Sequence, residues 1–263
     1  MSDERPMFED GDAYERMMGR WSREVGRDFL AWLALPKGLR WLDVGCGTGA
    51  FTVEVIAREA PATVHGIDPS PAQVAFARKR AGAEAAVFDV ADAQSLPFEG
   101  DRFDAAAMAL VLAFLPDPAR GVAEMARVVR PGGTVAAYMW DLAVGGSPTG
   151  PLHAAMRASG LGAAQPPSAA ASSLDAMRAL WANAGLADVE TTVIRVVVRY
   201  ESVDEFWSVN TRGVGPAGAK IAALPEADRA RLREALREHL SVQPDGSVAH
   251  EAVANAVRGR VAR

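Results

Sequence analysis

The sequence predicts an α/β fold: a parallel sheet with helices on both of its faces. Between Arg40 and Trp140, short apolar runs alternate with segments of helical spacing, the signature of repeated β-α-β units. The first of these runs ends in a glycine-spaced turn, Gly45-Cys46-Gly47-Thr48-Gly49. Asp43, Asp68 and Asp92 fall at or just beyond the C-terminal ends of the first three predicted strands, the edge at which open α/β sheets bind ligands.

The elements follow in order. From Tyr14 to Leu35, Met17, Trp21, Val25, Phe29 and Trp32 recur at helical spacing, and Pro36-Lys37-Gly38 breaks the helix. Arg40 to Val44 reads as a buried strand, Gly49 to Glu59 as a helix and Thr63 to Ile67 as a second strand. Ser70 then caps a helix with Pro71 at its first position and Gln73 completing a capping box, running to about Arg80. Strands follow at Ala85 to Phe88 and Phe103 to Leu110, a helix at Pro118 to Val129, a turn at Arg130-Pro131-Gly132-Gly133 and a strand at Thr134 to Trp140. Gly145 to Ser173, rich in Gly, Pro, Ala and Ser, reads as a mobile excursion with one short helix. A helix over Leu174 to Asn183 ends near Gly185, and the β-branched run within Val189 to Tyr200 is a strand. Glu201 to Leu240 returns to helix with breaks at Gly213 to Gly218 and Pro225, while Val248 to Val261 suits a final strand or a helix.

Composition narrows the function. Of 263 residues, 49% are hydrophobic and 23% charged, ordinary values for a globular chain. A net charge of -5 argues against the broad basic surface that nucleic-acid binding needs. The single cysteine, Cys46, excludes an intrachain disulfide and suits a reducing compartment. Met1 to Asp12 lacks the features of a signal peptide, and the longest apolar run, Ala105 to Leu115, is too short to span a membrane. The expected setting is the cytoplasm, without membrane insertion. No His, Cys or carboxylate cluster has metal-site spacing, so no metal is expected. Oligomeric state is left open.

The glycine turn lets backbone approach a ligand closely, and the following helix N-terminus offers free N–H groups. It is not a phosphate-binding P-loop, because no Gly-Lys-Ser/Thr follows. Its spacing also misses the dinucleotide fingerprint. Asp68, 19 residues beyond Gly49, is placed to accept hydrogen bonds from a ribose diol, and Asp92 from an adenine amino group.

Taken as a set, Leu42–Gly49, Gly66-Ile67-Asp68-Pro69-Ser70, Asp92-Ala93-Gln94-Ser95-Leu96-Pro97-Phe98, Phe103-Asp104 and Arg127-Val128-Val129-Arg130-Pro131-Gly132-Gly133 resemble the class I S-adenosylmethionine-dependent methyltransferases. Their order is similar to the branch that holds the ubiquinone/menaquinone-biosynthesis C-methyltransferases. The resemblance covers about residues 40 to 140. It implies a Rossmann-like seven-stranded sheet of order 3-2-1-4-5-7-6, last strand antiparallel, with a helical lid or insert. An N-terminal helical cover over 1–38 and a methyltransferase domain over 39–263, with acceptor-side inserts at about 142–173 and 201–245, follow from it. Asp43, Gly45 and Gly47 would face the methionyl part, Asp68 and Pro69 the ribose, Asp92 and Ala93 the adenine, and Met108 would pass near the sulfonium. Arg20 and Tyr14 on the first helix would cover the cofactor, with Arg20 reaching the methionyl carboxylate in competition with Arg23. The chain departs from relatives in having Leu112-Ala113-Phe114 where histidines often precede Leu115-Pro116-Asp117-Pro118. It also lacks the Asn/Asp-Pro-Pro-Tyr/Phe signature of nucleic-acid amino methyltransferases.

The implied function is transfer of a methyl group to an O, N or C nucleophile of a small molecule, leaving S-adenosylhomocysteine. Proximity carries much of such catalysis, so a base is needed only where the acceptor must lose a proton. His153 and Asp141 are the candidate bases, and Trp140, Trp207 and Arg212 the candidate acceptor contacts. The alternative is a non-catalytic sensor or regulatory subunit that binds the same cofactor. A nicotinamide oxidoreductase fits the β-α-β pattern but not the glycine spacing.

Overall fold

The computed structural model describes residues 19–162, 165–211 and 215–262. Helix α1 (Arg20–Leu33) buries Val25, Phe29 and Leu33, four residues apart, on one face. Strand β1 (Arg40–Val44) leads through the glycine turn into α2 (Ala50–Glu59). Strand β2 (Thr63–Asp68), α3 (Pro71–Ala77), β3 (Ala86–Val90), β4 (Phe103–Ala109), α4 (Pro118–Val128) and β5 (Val129–Trp140) continue the alternation. Then come α5 (Gly150–Ala158), α6 (Leu174–Asn183), β6 (Ala187–Tyr200), α7 (Val203–Asn210), α8 (Gly215–Ala222), α9 (Glu226–Arg237) and β7 (Val248–Arg260). The sheet has seven strands in the order β3-β2-β1-β4-β5-β7-β6. Strands β3, β2, β1, β4 and β5 run parallel, and β7 is antiparallel to β5. The expected order and the antiparallel last strand are both present.

Two compact units are distinguished among the described residues. The larger comprises Ser22–Ala143, Pro166–Ile194 and Ala254–Arg263; its members are described up to residue 262. The smaller comprises residues 19–21, Val144–Gln165 and Arg195–Val253.

Within the larger unit, Thr134–Trp140 is buried at every position, as expected of a strand covered on both faces. In β6, by contrast, buried and exposed residues alternate through Val193–Tyr200, the pattern of an edge strand with one solvated face. Arg40 donates two guanidinium hydrogen bonds and its backbone N–H to Asp104, and Arg130 adds a third cation contact. These contacts hold the Asp104 carboxyl well below the ordinary carboxylate range, against the opposing effect of partial burial.

Several boundaries differ from expectation. Arg130–Gly133 is a bulge inside β5 rather than a turn before it. Phe103 pairs Val129 and Ala105 pairs Thr134, so three extra residues loop out of β5. The bulge passes through Gly132 at φ +76° and is tied to the sheet because Gly132 donates to Val261 and Val261 donates back to Gly133. Helix α3 ends at Ala77, short of Arg80. Arg78 donates to the Phe88 carbonyl and Arg80 to Thr48, tying the turn to its neighbours. The 145–173 segment carries more structure than a mobile excursion. Beyond α5 it forms a 3-10 turn, Ala169–Ser172, anchored by Ser168 to Leu115 and Ala113 and by Asn255 to the Ser172 carbonyl. The last segment is a strand, settling the ambiguity left by its alanines.

Candidate functional site

Strand β1 lies between β2 and β4, with Asp43 level with Gly66 and Ala107. The central position buries Asp43 to 2% exposure. Its Oδ2 accepts a 2.6 Å hydrogen bond from the Thr52 hydroxyl on α2, while Oδ1 is buried with no partner. Burial raises its pKa to about 7, opposed by the Thr52 hydrogen bond and assisted by the nearby Asp68 charge.

The turn that follows is stitched by backbone. Gly45 and Cys46 both donate to the Ile67 carbonyl, at 2.7 and 2.8 Å. Gly45 has φ of +77°, and a Cβ there would lie 2.5 Å from a Val111 methyl carbon, so glycine is required twice over. Gly47 has φ of +52°, yet a Cβ there would meet nothing within 4 Å. That face of the backbone is open to a ligand.

Asp68 closes the turn from β2. Its Oδ2 accepts from the Gly47 N–H at 3.0 Å and its Oδ1 from the Ser70 N–H at 2.9 Å. Each oxygen keeps lone-pair capacity for another donor. Burial pushes its pKa up against these two hydrogen bonds. Ser70 caps α3 as expected, accepting from the Gln73 N–H, while its own N–H goes to Asp68. Pro69 between them is exposed.

Asp92 lies in an exposed turn, where its Oδ1 accepts from the Gln94 N–H at 2.8 Å. Ala93 beside it is buried in the core. The Gln94 side chain accepts from the Asp117 N–H, joining this loop to the start of α4.

Met108 lies one residue before the end of β4. The residue is fully buried, and its methyl carbon would lie 3.2 Å from a Cβ on Gly121, so the side chain belongs to the core beneath α4. The strand end presents Leu110 instead, held at φ +64° with its N–H on the Tyr138 carbonyl. At the end of β5, Trp140 is 3% exposed with an unpartnered indole N–H. Asp141 accepts from the Ala143 N–H.

In the smaller unit, His153 on α5 is partly buried, and desolvation with the Arg157 charge lowers its pKa. Trp207 on α7 borders a cavity of about 510 Å³ whose α9 wall carries Arg229, Arg233 and Arg237. Each of these arginines is paired with an acid: Glu226, Asp204 and Glu234 respectively. Arg20 begins α1; Tyr14 and Arg212 lie outside the described residues. Thr52 and Val111 shape the site without having been singled out in the sequence. Thr52 was open to detection, nine residues after Asp43 and in the first turn of α2; Val111 is a contact across the fold and left no local signal.

Among the described residues, no group of His, Cys, Asp or Glu is arranged to hold a metal, and no helix is long and apolar enough to cross a membrane.

Strand order, the antiparallel β7 and the carboxylates at the C-terminal edge define a Rossmann-like fold. Residues 42–137 match a family model described as a methyltransferase domain, which bears out the resemblance read from the motifs. Among relatives, the rice (Oryza sativa subsp. japonica) chloroplastic 2-methyl-6-phytyl-1,4-hydroquinone methyltransferase 2 is 37% identical over 116 residues, 44% of this chain and 33% of that protein. The ubiquinone/menaquinone biosynthesis C-methyltransferase UbiE of Geobacter sulfurreducens is 37% identical over 120 residues, 43% of this chain and 45% of that protein. The chain thus spans between a third and a half of these relatives. The solved YcgJ protein of Bacillus subtilis shares the fold, with a TM-score of 0.59 and 17% identity, over 93% of this chain and 99% of that one.

Proposed function

We propose that the chain is an S-adenosylmethionine-dependent methyltransferase acting on a small molecule. The observation that carries this is the Asp68 carboxylate, locked onto the Gly47 N–H beside an open glycine face at the end of β2. The donor set suits the cofactor: Asp68 keeps acceptor capacity for a ribose diol, and the buried, unpartnered Oδ1 of Asp43 offers a negative pole toward a cationic amino-acid end. Asp92 and the Ala93 backbone are assigned to the adenine, Arg20 to the carboxylate and Tyr14 to covering the cofactor. When bound, the cofactor supplies an electrophilic methyl group on an excellent leaving group. The chain's part is then to orient the acceptor, exclude water and, for an acidic O–H or N–H, take a proton. His153, kept neutral by burial and Arg157, and Asp141 are the assigned bases; Trp140, Trp207 and Arg212 are assigned to the acceptor. The lone buried Cys46 suits a reducing, cytoplasmic setting.

Calorimetric titration with S-adenosylhomocysteine, with NAD as control, tests the reading. Micromolar binding of the first alone is expected. Absence of binding by the folded protein overturns the cofactor assignment, and binding without turnover of any acceptor favours the sensor alternative.

A further inference from the structure

Helices α7, α8 and α9 of the smaller unit border a cavity of about 510 Å³, within the range of about 300–1,000 Å³ in which proteins bind small molecules. Its walls differ in chemistry. Trp207 on α7 and Ile221 on α8 supply ring and aliphatic surface, while α9 contributes Arg229, Arg233 and Arg237. These arginines stand four residues apart, so they rise along one face of α9 at intervals of about 6 Å.

The ion pairs of these arginines leave them open to exchange. Arg229 pairs with Glu226 and Arg237 with Glu234, each acid three residues earlier on the same helix, and Arg233 pairs with Asp204 on α7. The side chains of Glu226, Glu234 and Asp204 are 82%, 80% and 66% exposed, against 39%, 50% and 42% for their arginines. The carboxylates thus stand toward solvent, where such pairs contribute little, and the guanidinium groups are the more enclosed partners. Arg233 is under-satisfied as well. Its Nη2 donates to Asp204, but its Nε–H is buried with no acceptor. A guanidinium carries five N–H donors, so each of the three retains capacity for a further oxygen ligand.

We propose that this cavity binds an organic carboxylate with an apolar body, the carboxylate replacing Glu226 or Glu234 on the α9 arginines and the body lying against Trp207 and Ile221. The displaced acid turns into water, where it is already largely solvated, so one carboxylate substitutes for another in the planar fork of a guanidinium. The chemistry discriminates. A neutral amide brings the body without the charge-assisted contact, and acetate brings the charge without the body. A phosphate monoester carries about two negative charges, and the acids that remain would repel the second. A cation would face three guanidinium groups. The inference deepens the methyl-transfer reading, which assigns Trp207 to the acceptor, and rests on it only for the ligand's role as methyl acceptor.

The test titrates the full chain with naphthoate, naphthamide, naphthyl phosphate and acetate by calorimetry and follows the tryptophan indole N–H signals by NMR. Naphthoate is expected to bind and to shift the Trp207 signal saturably, with Trp207→Phe identifying that signal. The amide, the phosphate and acetate should each bind at least about tenfold more weakly. Replacing Arg229 and Arg237 together by glutamine should weaken naphthoate about tenfold, and both lost ion pairs lie within α9 alone. If that variant does not fold, the comparison of probes on the natural chain decides. Amide or acetate binding as tightly as naphthoate, tighter binding of the phosphate, or an unmoved Trp207 signal overturns the proposal. A parallel S-adenosylhomocysteine titration separates the two readings. Binding of that ligand without naphthoate binding defeats this inference alone, and the reverse defeats the cofactor assignment while the carboxylate site stands.

Discussion

Replacing Asp43 by asparagine isolates an electrostatic strain in the larger unit. Burial raises the Asp43 pKa from 3.8 to about 7. At about 1.4 kcal/mol per unit, the native state disfavours the ionised carboxylate by about 4 kcal/mol relative to the unfolded chain. Between these two values the folded state binds the additional proton, so this contribution lowers stability as pH rises. The penalty is absent below about 4 and complete above about 7. Asparagine keeps an oxygen for the Thr52 hydroxyl and does not ionise. Urea unfolding of both proteins from pH 4 to pH 8 should therefore show Asp43→Asn gaining on the natural chain by about 4 kcal/mol across the range. Its S-adenosylhomocysteine affinity should fall at pH 8, because a ligand ammonium loses its negative pole. A stability difference that stays flat with pH would refute the reasoning, since it would mean that Asp43 ionises in the folded protein as freely as in water.

Four further outcomes are expected. Asp68→Ala should weaken S-adenosylhomocysteine by at least about tenfold in calorimetry, because a charged acceptor for two hydroxyls is lost and the Gly47 and Ser70 N–H groups are released. Gly45→Ala should strongly impair folding or cofactor binding, and Val111→Ala should partly restore it by removing the methyl carbons 2.5 and 2.8 Å from the new Cβ; thermal melts of the single and double variants check this. Arg258→Ala should lower Tm by about 5 °C, since Arg258 lies over the Trp32 ring, donates to the Trp32 and Leu33 carbonyls and pairs with Glu190. Asp104→Asn should destabilise the protein at pH 7 but progressively less in acid. The depressed carboxyl pKa makes its stabilisation present above about pH 4 and lost as pH falls toward the folded value, measurable as converging urea midpoints.

What was legible in the sequence was local. The glycine turn, the Ser70 cap and the strand-end aspartates depend on contacts within a few residues or on strand periodicity, and they emerge where expected. Features set by tertiary pairing were not legible. The Arg130–Gly133 segment reads as a turn from Pro-Gly-Gly, yet the hydrogen bonds it shares with Val261 make it a bulge in a strand. Met108 looked like a strand-end residue facing the ligand, and only the approach of Gly121 on α4 shows which face of the sheet takes its side chain. No local pattern marks the surroundings of His250, because Pro148 and Phe206, its partners, are distant in sequence.

The three aspartates show why residue type and position were insufficient to assign roles. In the sequence Asp43, Asp68 and Asp92 are equivalent, each near the end of a strand. In the sheet they lie at the ends of β1, β2 and β3, which run from a central position to an edge. Burial follows that order: Asp43 is enclosed, Asp68 is partly buried and Asp92 is exposed. Desolvation accordingly holds Asp43 near half-protonation at neutral pH and raises Asp68 against its backbone donors. A methyl donor whose cationic end approached β1 would therefore meet a carboxyl group that it must itself help to ionise. A ribose approaching β2 would meet a charge already oriented by Gly47 and Ser70. Cofactor affinity should consequently rise with pH through the Asp43 titration, and that dependence should vanish in Asp43→Asn while persisting in Asp92→Asn. Loss of the dependence in both variants, or in neither, would separate strand position from the chemistry assigned to it here.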